Sequence, residues 1–156
     1  MRSIEYSCIV EANLAEVWEA WTTNEGVQTF FAPQSKVELK IGGDYELYFQ
    51  PESEEGQCGS EGMKIQSYLP ERMLAFDWNS PPQFGDYRGK KTWVVIEIVE
   101  LDDDLCEVTL NHCGFGEDQV WDEIHDYFCK AWKLVLHRLE RSFRIGAVDW
   151  ENPPQL

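Results

Sequence analysis

Apolar positions along the chain follow two different periods. Ile4 to Val10 is rich in β-forming residues and predicts a first strand. Leu14, Val17, Trp18 and Trp21 then recur at helical spacing, which predicts an amphipathic helix over residues 13–22. Asn13 can cap that helix, with Glu16 three positions on as the acidic half of a capping box. Asn24 can cap a second, shorter helix carrying Val27, Phe30 and Phe31, and Pro33 keeps it from running far.

From there the period falls to two. Val37, Leu39 and Ile41 alternate with Glu38 and Lys40, Gly42-Gly43 follows, and Tyr45, Leu47 and Phe49 alternate again. Two alternating runs around a Gly-Gly predict a hairpin, because tight hairpin turns need positive φ. Residues 51–57 read as a solvated acidic turn, a further strand covers about 60–68, and Leu74, Phe76 and Trp78 alternate in the next. The Pro- and Gly-rich stretch 79–91 predicts a long loop, and strands over about 92–101 and 105–113 flank the turn at Asp102-Asp103-Asp104.

The last periodic segment, from Asp118 to about Ile145, is one long helix with Trp121, Ile124, Phe128, Ala131, Trp132, Val135, Leu139 and Phe143 along one stripe. Acidic residues crowd its start and basic residues its end, which suits the helix macrodipole. Gly146 fits just past the end, and the tail 147–156, with Pro153-Pro154, is expected to be loosely held. The order β-α-α-β-β-β-β-β-β-α implies one domain over 1–146 of the α+β class. In it a curved, mostly antiparallel sheet buries one face against the long helix.

Composition narrows the partners. The chain has 156 residues with 13 Lys+Arg against 29 Asp+Glu, a formal charge of −16, so neither nucleic acid nor an anionic membrane surface is expected. Hydrophobic residues at 43% and aromatics at 13% support a packed core. Five cysteines in no CxxC pair, and a start without a secretory h-region, point to reduced thiols and a cytoplasmic protein.

Several segments together resemble the START-like (SRPBCC, helix-grip) superfamily, and within it the family named after the activator of heat-shock protein 90 ATPase. They are Val10-Glu-Ala-Asn-Leu-Ala-Glu-Val-Trp-Glu-Ala-Trp-Thr22, Phe30-Phe-Ala-Pro33 and Ile41-Gly-Gly-Asp-Tyr-Glu-Leu47. Gly62 with Pro70, Leu74, Phe76 and Trp78 follows, then Val108-Thr-Leu-Asn-His-Cys-Gly-Phe115, and Trp132 with Leu136 and Leu139. The resemblance implies a helix-grip fold, in which a curved sheet wraps a long C-terminal helix. It also implies two roles known in the superfamily, holding small molecules and assisting a chaperone. The second domain of the family's co-chaperone members has no counterpart in these residues.

Candidate chemistry is sparse. Leu39, Tyr45, Leu47, Ile65, Phe76, Trp78, Ile96, Leu110, His112, Phe128 and Trp132 are expected between sheet and helix, where they either line a pocket for an apolar or aromatic molecule or fill the space completely. His112 shares the face of Val108 and Leu110. It reads either as a ligand-facing hydrogen-bonding or proton-carrying group or as a core histidine satisfied by backbone or by Tyr127. The second is favoured, because acid–base work needs another positioned group.

Asp77 and Glu97 are expected on the opposite, solvated face. No metal set, cofactor motif or nucleophile with a neighbouring base is recognisable. The late-helix basic residues Lys130, Lys133, Arg138, Arg141 and Arg144, with Lys90-Lys91, read either as a dock for an acidic partner or as solvated charges, and the second is favoured. Three functions follow, in this order: a small-molecule-binding module, a chaperone co-factor, and a cyclase- or hydrolase-type enzyme that would need His112 plus a second polar group.

Overall fold

The computed structural model describes residues 2–156. Its elements are β1 (Ser3–Val10), α1 (Leu14–Thr22), α2 (Asn24–Val27), β2 (Gln34–Val37), β3 (Tyr45–Tyr48), β4 (Ile65–Leu69), β5 (Met73–Trp78), β6 (Thr92–Asp102), β7 (Leu105–Cys113) and α3 (Gln119–Arg144). Their order is the one expected from the sequence. Five strands form an antiparallel sheet in the order β1-β7-β6-β5-β4, and β2 pairs with β3 in a separate ladder. Single bridges Asp44–Lys64 and Tyr48–Gly59 join that hairpin to the chain leading into β4, so the sheet curls on beyond its regular edge.

Register explains which side chains meet under the helix. Ile4, His112, Val94 and Phe76 stand in one row across β1, β7, β6 and β5, and Thr92 lies opposite Trp78 at the row's end. All six are buried, because successive residues on a strand alternate faces. α3 covers this face with Ile124, Phe128, Trp132, Val135 and Leu139 buried along one stripe. Asp118 caps it, its carboxylate accepting from the Trp121 N–H at 2.9 Å. No helix among the described residues is long and apolar enough to cross a membrane.

Four local expectations change. The cap of α2 is Thr23, whose hydroxyl accepts from Gly26 N–H at 2.9 Å. Asn24 instead turns its Oδ1 to the Val37 N–H at 2.8 Å and fastens the hairpin. The hairpin itself pairs Val37 with Tyr45, so residues 38–44 are loop and the alternation through Ile41 is not strand. Backbone bonds inside that loop, Gly43 N–H to Lys40 O at 2.9 Å among them, replace the ladder. A Cβ at Gly43 would stand 2.0 Å from Glu38 O, which is why the turn needs glycine there. The stretch 79–91 is not bare loop, since Pro82–Gly89 coils into 3-10 turns kinked at Gly85. The tail also folds back. Val148 N–H donates to Thr29 O at 2.9 Å, Trp150 Nε1–H to Gln28 O at 2.7 Å, and Arg138 Nε–H to Pro154 O at 3.0 Å.

Candidate ligand-binding groove

The space between sheet and helix is closed along most of its length. Tyr45 stacks on Phe76 with ring centroids 4.2 Å apart and donates its hydroxyl to Trp21 O at 2.8 Å. Complete burial pushes its phenol well above the usual range. Leu47, Ile65, Leu74, Ile96 and Leu110 fill the layer around that pair and are wholly enclosed.

Beyond Trp78 the packing ends, and a groove of about 350 Å³ opens between α3 and the connection from β3 to β4. That volume lies at the small end of the range for molecules of drug size, roughly 300–1,000 Å³. Its floor is an aromatic cluster of Phe31, Phe49, Trp78, Phe128 and Trp132. Trp78 sits 5.6 Å from Trp132 and 5.8 Å from Phe31, and Phe128 stacks on Trp132 at 5.8 Å. Phe49, 42% exposed, marks the open side.

One arginine builds the opposite wall. Arg88, from the 3-10 turns, donates to Ser80 O at 2.6 Å, Gly56 O at 2.7 Å and Gly59 O at 2.9 Å, and lies 3.6 Å from Glu61. Its planar fork thereby ties the end of β5 to the acidic turn after β3. Burial lowers the guanidinium's pKa, opposed by Glu61. Burial also tends to raise the pKa of Glu61, but N–H donors from Cys58 and Gly59 outweigh it and hold the carboxyl below its usual range. Asn79 adds a bond from its Nδ2 to Gly59 O at 3.1 Å. Glycine is required at 59, because a Cβ there would meet Leu47 O at 1.8 Å.

His112 lies behind the floor. Its Nδ1 accepts from Trp132 Nε1–H at 2.9 Å, and Thr92 Oγ1 lies 2.7 Å from its Nε2. An indole can only donate, so Nδ1 carries no proton and the Nε2–H donates to Thr92. Thr92 can then pass its own hydroxyl hydrogen toward Trp78 O at 3.5 Å. Phe115 and Phe128 enclose the ring at centroid distances of 4.5 and 4.6 Å. Desolvation, with His125 as a smaller cause, lowers its pKa to about 3. The imidazole is neutral, with both nitrogens engaged inside the protein, and neither is free to take a proton from a molecule in the groove. The partners are Trp132 and Thr92 rather than backbone or Tyr127.

Of the residues expected at a pocket, Trp78, Phe128 and Trp132 come together on the groove. Tyr45, Leu47, Ile65, Phe76, Ile96 and Leu110 stand in the filled layer, and His112 supports Trp132 from behind. Leu39 does not face inward. It sits 36% exposed on the hairpin loop, because pairing stops at Val37. Asp77 is not solvated either: it is 9% exposed, accepts from Lys64 N–H at 2.6 Å and lies 3.4 Å from Lys91 Nζ. Glu97 does face solvent, accepting from Asn111 Nδ2 at 3.3 Å.

Phe31, Phe49, Arg88 and Arg138 belong to the groove without having been singled out for it. Arg138 was legible, since it follows Val135 by three residues on the stripe that includes Phe128, Ala131 and Trp132. Arg88 reaches its carbonyls across some thirty positions of chain, which no local pattern encodes. Among the described residues no three His, Cys, Asp or Glu side chains gather as a metal site would require, and all five cysteines are unpaired.

A curved antiparallel sheet gripping one long terminal helix, with a groove at one end, defines a helix-grip protein. Residues 11–144 match the family model described as Activator of Hsp90 ATPase homolog 1-like protein, and the chain belongs to that family.

Solved structures share the fold. The Aha1 dimer from Colwellia psychrerythraea superposes with a TM-score of 0.72 at 16% identity, covering 94% of this chain and 98% of that one. An HSP90 activator from Plasmodium falciparum gives 0.69 at 14% identity, covering 94% and 98%. CalU16 from Micromonospora echinospora gives 0.67 at 24% identity, covering 96% and 78%. No protein of curated function matches the chain in sequence.

Proposed function

We propose that the protein is a small-molecule-binding module that holds an apolar or aromatic ligand in the groove beyond Trp78. The observation that carries this reading is a groove with an aromatic lining, in which the buried rings of Phe31, Trp78, Phe128 and Trp132 form the deep end and Phe49, 42% exposed, forms the open rim. Trp78 and Trp132 lie 5.6 Å apart beside about 350 Å³ of unfilled space, while the layer behind them is closed. An apolar ring seated there would extend the packing of the buried rings and cover Phe49, at roughly 25 cal/mol per Å² of apolar surface taken from water. The polar groups around it, Gln50, Gln57 and Asn79, can orient such a ligand.

Native mass spectrometry of the purified protein, before and after denaturing extraction, tests this directly. A co-purified species lost on denaturation supports the module and gives the ligand's mass. If the protein arrives empty, titration with naphthalene derivatives while following Trp fluorescence is the second arm. No change there overturns the reading.

A second reading rests on the family match and on the likeness to an HSP90 activator over 94% of this chain. In it the domain assists a chaperone of the heat-shock-90 type through its surface. Pull-down of purified chaperone by this protein, with stimulation of its ATPase, would favour that role.

A further inference from the structure

The polar lining of the groove says more about a ligand than its apolar floor does. The chain carries 29 Asp+Glu and a formal charge of −16, yet no carboxylate lines the groove and two arginines do. The two differ in what they have left to offer. Arg88 spends three of its five N–H donors on backbone carbonyls and has Glu61 3.6 Å away.

Arg138, on the helix side, has only its Nε–H engaged, on Pro154 O at 3.0 Å. Among the described residues no carboxylate lies within 4.0 Å of it, and nothing accepts from its two Nη groups. The guanidinium is half-buried and has no counter-charge, and its Nη groups still reach solvent, so they are open to an incoming acceptor.

The side chain is also held in place. Its guanidinium carbon lies 5.6 Å from the centre of the Trp150 ring, and Trp150 is itself anchored through its indole N–H to Gln28 O at 2.7 Å. Stacking on one side and a carbonyl on Nε fix the fork and leave its Nη edge for a planar acceptor. The acidic surface elsewhere does not cancel this local preference, because charges more than about 8 Å away are largely screened at physiological salt.

We infer that the groove selects acids: its ligand carries a carboxylate, or a comparable planar anion, that pairs with the Nη edge of Arg138 while an apolar ring system lies on Trp78 and Trp132. This deepens the small-molecule reading above and rests on it. Arg138 acts as the residue that decides between an acid and its neutral analogue, and the aromatic floor supplies the attraction common to both.

The test is a matched series of aromatic carboxylates of one to three rings, naphthoate among them, each paired with its primary amide and titrated by calorimetry. The acids should bind roughly tenfold or more tightly than the amides, the range expected for a charge-assisted pair. Arg138→Gln should bring the acid-to-amide affinity ratio close to one, and Arg138→Lys should retain part of the preference. Amide affinity also reports whether each variant is folded. NMR of the arginine side-chain nitrogens in the unmodified protein adds a readout that needs no variant, since acids should shift the Arg138 signals and amides should not.

Equal binding of acids and amides, or a preference that survives Arg138→Gln, overturns the selection of acids and leaves the small-molecule reading standing. Failure of the whole series to bind overturns both.

Discussion

The indole N–H of Trp132 donates to Nδ1 of His112 at 2.9 Å, joining the groove's floor to the centre of the sheet. Trp132 comes from α3 and His112 from β7, so one hydrogen bond fixes how the helix is rotated over the strands. It also fixes the tautomer of a histidine that no water reaches.

Replacing Trp132 with Phe tests that bond with little loss of apolar volume. Nδ1 of His112 would then be a buried acceptor without a donor, at a cost of about 1–3 kcal/mol. Urea unfolding should show a lower midpoint with an unchanged slope. A loss under about 0.5 kcal/mol would mean that the bond contributes little beyond packing.

His112 also makes stability depend on pH. Its folded pKa is about 3, and in the unfolded chain it returns to about 6.5. Between those values the unfolded chain binds the extra proton, so stability rises with pH across the window and is lost as pH falls. The slope is about 1.4 kcal/mol per pH unit from this one group. The groups facing the ring are Thr92, Trp132, Phe115 and Phe128, with His125 adding a further repulsion to its protonation. The comparison belongs between about pH 5 and 6.5, above the ordinary carboxylate range. His112→Asn, which keeps an acceptor for Trp132, should flatten the slope there. Parallel profiles for the two proteins would contradict the assignment.

How far the sequence carried the fold depends on what encodes each part. Local periodicity and caps are written in neighbouring residues, so α1 with Asn13, α3 with Asp118 and the strand pair β6–β7 appear where they were expected. The hairpin misled because Leu39 and Ile41 continue the alternation of Val37 after the chain has left the sheet. The turn is decided by the close approach of Gly43 to Glu38, a three-dimensional fact. The site was harder for the same reason. Trp78, Phe128 and Trp132 follow from facing the core, but where the core stops filling depends on the path of residues 49–59, which Arg88 holds from a distance.

Arg88→Met should therefore loosen the groove rather than the whole fold. Carbonyls of Ser80 and Gly56 would lose their donor and Gly59 O would keep only Asn79, at a cost of about 1.5–3 kcal/mol if they stay sheltered. Because the turn can instead open to water, the sharper signature is local. Amides from Gln57 to Gly59 should exchange faster while those of β6 and β7 keep their protection. Arg88→Lys should not restore it, since one ammonium cannot span three carbonyls in a plane. Uniform acceleration of exchange throughout the sheet would show that Arg88 serves global stability instead.

Trp150 couples the tail to the same groove from the other side. Its indole bonds Gln28 O beside α2, and its ring carries the guanidinium of Arg138. Trp150→Ala removes one neutral hydrogen bond and one partly exposed cation–π contact, together about 1–2 kcal/mol. If the ring's role is only to hold the tail, thermal unfolding shifts and ligand affinities do not. If it fixes the fork of Arg138, affinity for an aromatic acid falls several-fold while that for the matching amide is unchanged. The reason is that an arginine free to rotate loses entropy on pairing that a stacked one has already lost. The acid-to-amide ratio in this variant, measured beside Arg138→Gln, separates the tail as an anchor from the tail as a positioning element of the groove.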